Sequence, residues 1–122
     1  MSLEFEIWLR NNDFATTDIV DVPLAAPEAW TDDDVRTLLV ELLRSIDRAK
    51  HPDVDRDRPV YLRGFNWIVS PFEAQGVLVT VEIQLGAAAA GPFPIAQDRL
   101  EAMIMRVVAQ SRADSEATPR VH

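Results

Sequence analysis

Cysteine is absent from the 122 residues, so disulfides, thiol catalysis, iron–sulfur clusters and cysteine-based zinc sites are excluded. Histidine is scarce: only His51 and His122 occur, and His122 is the last residue. Bases are the minority charge, twelve against twenty acids. The resulting formal charge of −8 argues against a general affinity for nucleic acid or for an anionic membrane. No apolar run approaches the ~20 residues needed to span a bilayer. The opening Met-Ser-Leu-Glu-Phe-Glu has neither the basic nor the apolar region of a signal peptide, which leads to the expectation of a cytoplasmic protein.

Hydrophobic residues make up 48% and charged residues 26%, a composition that folds as a globule rather than staying disordered. The length fits one domain. Residues 1–110 are expected to form it, with 111–122 as a small, polar, flexible tail.

Four strands and two helices can be read from the pattern. Leu3, Phe5, Ile7 and Leu9 alternate with Glu4, Glu6, Trp8 and Arg10, which marks a half-buried strand over 3–10. Val20, Val22 and Leu24 share one face of a second, short strand from residue 18. Pro23 ends it near Val22 or assigns it to a sheet edge. Residues 60–69 are rich in β-formers, and Val77, Val79, Val81, Ile83 and Leu85 share one face of a strand over 77–85. Between these two strands, Pro71 and Gly76 allow an antiparallel hairpin.

The helix over 32–50 has Thr31 as N-cap, with Asp34 three residues on, and Asp32, Asp33 and Asp34 at its positive end. Val35, Leu38, Leu39, Leu42, Leu43 and Ile46 form its stripe, and Pro52 closes it. A second helix starts at Pro94 or Ile95, with Leu100, Met103, Ile104, Val107 and Val108 as its stripe. Over 86–94, four alanines favour helix while Gly86, Gly91, Pro92 and Pro94 punctuate against one. The expected fold is α+β: a two-layer sandwich in which two helices cover one face of a four-stranded antiparallel sheet, in the order ββαββα.

Catalytic and cofactor motifs are not supported. Asp53, Asp55 and Asp57 have the one-three-five spacing of a calcium loop, but its sixth and twelfth positions are Arg58 and Gly64 instead of glycine and glutamate. Arg56 and Arg58 would also compete for the carboxylates. Gly86 and Gly91 match the glycine spacing of a phosphate loop, yet Pro92 and Phe93 stand where lysine and a hydroxyl belong. Glu4, Glu6 and Glu82 fall by alternation on the solvent face of the sheet, with no histidine near them in sequence. No catalytic residue, metal ligand or cofactor is therefore assigned.

Charge placement and surplus apolar surface are more informative. From 11 to 35 there are seven acids, Asp13, Asp18, Asp21, Glu28, Asp32, Asp33 and Asp34, and no base. An acidic ridge of this kind suits a partner with a basic surface. The strand over 60–69 is apolar on both faces: one register exposes Val60, Leu62 and Ile68, the other Tyr61, Phe65 and Trp67. Trp8 and Leu78 fall on the outer face of the sheet, so Trp8, Tyr61, Leu62, Trp67 and Leu78 are the candidate apolar interface. The expectation is a small acidic inhibitor or adaptor, not an enzyme, that docks on a basic protein surface. By charge and size alone it is of the anti-CRISPR, anti-restriction or immunity type, and its arginine and alanine bias suggests a bacterial or phage source. A homo-oligomeric assembly subunit using the outer sheet face is the alternative, and a small-molecule enzyme the third reading.

Overall fold

A computed structural model describes residues 1–52 and 60–117, with side chains as far as residue 112. The Asp53, Asp55 and Asp57 spacing lies outside the described residues. The elements are β1 (Ser2–Leu9), β2 (Thr16–Asp21), a 3-10 turn (Pro27–Ala29), α1 (Asp32–Lys50), β3 (Asn66–Pro71), β4 (Val77–Ile83), β5 (Gly86–Phe93) and α2 (Gln97–Ala117). They build an α+β sandwich of order ββαβββα, with an antiparallel sheet ordered β2-β1-β5-β4-β3 and two helices packed on it.

The expected two-layer architecture holds, and three details of it are corrected. The sheet has five strands, because 86–94 supplies β5, the central strand. Flanked by β1 and β4, it has neighbours for its ladder groups on both sides, which outweighs the weak β-propensity of its alanines. The strand expected over 60–69 begins only at Asn66. Gly64 at φ 68° turns the chain just before it, and the Arg63 N–H donates to the Tyr61 carbonyl at 2.9 Å. Finally, α2 starts at Gln97 and continues past Ser111 as far as Ala117.

α1 occupies the span its caps predict. Thr31 Oγ1 accepts from the Asp34 N–H at 3.4 Å, and Asp34 Oδ2 accepts from the Thr31 N–H at 2.9 Å, closing a capping box. The core lies between the layers. Phe5 and Ile7 of β1, Val79 and Val81 of β4, and Ala88 and Ala90 of β5 meet Leu38, Leu39, Leu42 and Ile46 of α1 and Leu100 and Ile104 of α2. The small side chains of Ala88 and Ala90 suit the middle of the sheet, where the helix layer rests on the central strand. Trp30, ahead of α1, is buried against Phe93, and its indole N–H donates to the Ala25 carbonyl at 2.8 Å.

Among the described residues, no helix is long and apolar enough to cross a membrane.

Candidate interaction surface

Alternation along each strand separates two faces, and the cross-strand register lines up the side chains of the uncovered one. One row runs Thr17, Glu6, Ala89, Thr80, Ile68, from β2 across to β3. The next runs Trp8, Ala87, Glu82, Asn66. Ile19 stands opposite Glu4, Asp21 opposite Ser2, and Ser70 opposite Leu78. Large side chains thus rise from the outer strands on either side of a low strip made by Ala87 and Ala89.

This face is mixed in chemistry. Trp8 is 40% exposed, Ile68 58% and Ile19 73%, with Leu78 partly buried beside them. Glu4, Glu6 and Glu82 are exposed and have no cation partner among the described residues. No lysine, arginine or histidine lies within the five strands; Arg10, exposed, follows β1 directly, its N–H donating to the Leu85 carbonyl at 2.8 Å. Apolar contact area is therefore interspersed with carboxylates of one sign.

The acidic stretch of 11–35 is laid out differently from the ridge its sequence suggests. Asp18 binds Arg48 of α1 at 2.9 Å, Asp21 binds the N-terminal amine at 3.3 Å, and Asp32 binds Arg106 of α2. Asp34 belongs to the α1 cap. Asp13, Glu28 and Asp33 are exposed, but they sit on the loop after β1, the 3-10 turn and the first turn of α1 respectively. Thr16 and Asp18 lie against the C-terminal half of α1, whereas Asp33 sits in its first turn. Sequence separations of 30 and 74 residues hide the Asp18–Arg48 and Asp32–Arg106 pairs from any local reading.

The Asp32 pair is bidentate, with Arg106 Nε donating to Oδ2 at 3.0 Å and NH2 donating to Oδ1 at 2.9 Å. These hydrogen bonds, aided by the charges of Arg106 and Arg36, hold the Asp32 carboxyl below its ordinary pKa. A group with a depressed folded-state pKa stabilises the fold above the ordinary carboxylate range, and that contribution is lost as pH falls through the lowered value. The pair is solvent-exposed, so salt screens it. We predict that Arg106→Gln returns the Asp32 titration, followed by carboxyl NMR, to the ordinary range. An unmoved titration would assign the shift to another cause.

The apolar candidates divide between the two sides of the sheet. Trp8 and Leu78 lie on the uncovered face, as alternation predicts. Leu62 and Trp67 do not: Leu62 is buried in the core, and Trp67 packs against it from the inner face of β3. Leu62 belongs to an irregular segment whose side chains do not follow strand alternation, and Trp67 shares the parity of buried Val69. Tyr61 is exposed ahead of β3, with the Arg63 guanidinium 5.2 Å from its ring centre. Ile19 and Ile68, the most exposed apolar residues of the strands, were not among the candidates. Ile68 could be found only once the strand's register was known, and Ile19 sits in a strand whose inward set, Thr16, Asp18 and Val20, holds one apolar residue only.

A separate cleft of about 290 Å³ opens between the inner side of β2 and α1, lined by Thr16, Thr17, Asp18, Ser45, Arg48 and Ala49 among others. Two of its polar side chains are tied up within the chain: Arg48 binds Asp18, and Ser45 Oγ donates to the Leu42 carbonyl at 2.7 Å. Among the described residues, no group of three or more carboxylate or imidazole side chains is arranged to hold a metal. Comparison of the chain with protein-family models, with curated proteins and with solved structures gives no match.

Proposed function

We propose that this chain is a non-enzymatic interaction module, an inhibitor or adaptor of the cytoplasm, whose uncovered sheet face docks on a partner protein with a basic, partly apolar surface. The observation that carries the reading is the make-up of that face: Glu4, Glu6 and Glu82 without intrachain cations, set among exposed Trp8, Ile19 and Ile68, with no base within the five strands. Charge complementarity selects the occupant. Arginine or lysine of a partner would find carboxylates beside an indole face, while aliphatic contacts supply the area. A second copy of the same face is a poor occupant, because self-docking sets carboxylates against carboxylates.

The test uses a defined probe, a synthetic peptide rich in arginine and leucine, titrated into isotope-labelled protein. Amide shifts are expected to concentrate on Glu6, Trp8, Ala87, Ala89 and Glu82 and to shrink as salt rises. The triple variant Glu4→Gln, Glu6→Gln, Glu82→Gln should weaken the peptide at least ~10-fold, the scale of a few lost charge contacts. The variant Asp13→Asn, Glu28→Gln, Asp33→Asn should leave affinity nearly unchanged. Shifts centred on Asp13 or Asp33, or equal losses in the two triple variants, would remove the sheet face from the proposal.

A further inference from the structure

We infer that the free edge of β2 is a self-association seam, through which two copies of the chain pair into one continuous antiparallel sheet, doubling the five strands of each. This inference stands apart from the docking reading and uses different atoms.

Backbone direction comes first. The Val22 N–H donates to the Met1 carbonyl at 2.8 Å, so Val22 points its main chain toward β1. In an antiparallel ladder, successive residues alternate in which side their N–H and C=O address. Val20, Asp18 and Thr16 therefore also address β1, and Thr17, Ile19 and Asp21 turn three N–H and three C=O groups to the open edge. None of these six groups has a partner among the described residues.

The two edges of the sheet are treated differently. On β3 the outward carbonyl of Val69 accepts from Gln97 Nε2 of α2 at 3.0 Å, Pro71 has no N–H to offer, and α2 packs along the strand. β2 has none of these protections. It carries the β-branched residues Thr16, Thr17, Ile19 and Val20, and α1 packs over β1 and β5, inward of it. An unprotected edge of high β-propensity is a template for another strand.

Stereochemistry then selects both the partner and the register. A twofold axis normal to the sheet keeps the helix layers of both copies on one side and requires outward-pointing residues to meet their own kind. With Ile19 opposite Ile19 of the second copy, Thr17 meets Asp21 and Asp18 meets Val20, giving six main-chain hydrogen bonds and no carboxylate opposite another. Sliding by one step toward the N-terminus sets Asp18 against Asp18. Sliding the other way leaves four bonds within the strands, because Thr17 would then face Pro23, which lies beyond β2 and has no N–H. The favoured register also makes the exposed Ile19 pair its centre. Both outer faces remain uncovered and lie side by side.

Size-exclusion chromatography with light scattering should find wild type at about twice 13.7 kDa. Ile19→Pro removes an N–H that β1 does not use, so it should give monomer with an unchanged far-ultraviolet circular dichroism spectrum. Ile19→Cys, in a chain with no other cysteine, should give a covalent dimer with a short bis-maleimide cross-linker, since directly opposed hydrogen-bonded residues stand about 5.5 Å apart at Cα while their Cβ atoms are too far apart for an unstrained direct disulfide. Ile68→Cys on the protected edge should not, and the Glu4/Glu6/Glu82 variant should still dimerise. Wild type that stays monomeric at millimolar concentration overturns the inference. So does cross-linking of Ile68→Cys as readily as Ile19→Cys, or a dimer that survives Ile19→Pro. If proline disrupts the hairpin, the cysteine pair alone decides.

Discussion

Trp30→Ala is expected to lower the free energy of unfolding by about 3–5 kcal/mol, the range for truncating a buried tryptophan. The indole is only 2% exposed and meets the Phe93 ring edge-on, centroids 4.8 Å apart. Three elements converge on this position. The indole N–H ties back to Ala25, Arg99 of α2 donates to the Glu28 and Trp30 carbonyls at 2.8 and 3.4 Å, and Thr31 begins the α1 cap one residue later. Alanine would leave a cavity and strip the Ala25 carbonyl of its donor, and the entry into α1 could not close over the gap without moving its cap. Urea unfolding followed by circular dichroism measures the loss, with Trp8→Ala as the surface comparison expected within about 0.5 kcal/mol of wild type. A loss below about 1 kcal/mol for Trp30→Ala would mean that the segment before α1 opens without the core.

What the sequence reveals of this fold depends on whether a segment's own residues or its neighbours decide its state. α1 is legible end to end because its cap, its charge gradient and its apolar stripe are all local, and each points the same way. β1 and β4 are legible through strict alternation. β5 is not, since its alanines are poor strand formers, and only its position between β1 and β4 makes an extended chain favourable there. The segment 60–65 misleads in the opposite sense. Its apolar residues mimic a strand, yet Leu62 reaches the core from an irregular segment and Gly64 turns the chain.

The same distinction governs the surface. Outward positions for Trp8, Leu78, Glu4, Glu6 and Glu82 follow from parity alone. The continuity of the acidic stretch does not, because carboxylates adjacent in sequence find arginines far along the chain. Which strands end the sheet is legible only in part: Pro23 allows an edge position for the second strand, which β2 occupies, whereas the edge at β3 depends on β5 inserting beside β1.

Gly76→Ala is expected to destabilise the fold by about 3 kcal/mol, at the upper end of what a residue held in a glycine-only conformation loses. Gly76 closes the β3–β4 hairpin, where the Phe72 N–H donates to its carbonyl at 2.9 Å, and its φ of 129° is one that L side chains rarely adopt. An added Cβ would also strike the backbone carbonyl of Phe93, the last residue of β5, and come within 3.1 Å of the Pro94 nitrogen. All of these contacts are backbone atoms, so no flexible side-chain end can yield. Gly64→Ala separates the two effects: its φ of 68° is also positive, but nothing lies within 4 Å of its added Cβ. Thermal unfolding of both variants should therefore give the larger loss at Gly76. Because Phe93 carries the Trp30 contact, Gly76→Ala and Trp30→Ala should be non-additive by more than about 0.5 kcal/mol in a double-mutant cycle. Equal losses at Gly64 and Gly76, with additivity in the cycle, would show that the end of β5 moves freely and that the hairpin does not lock it against the core.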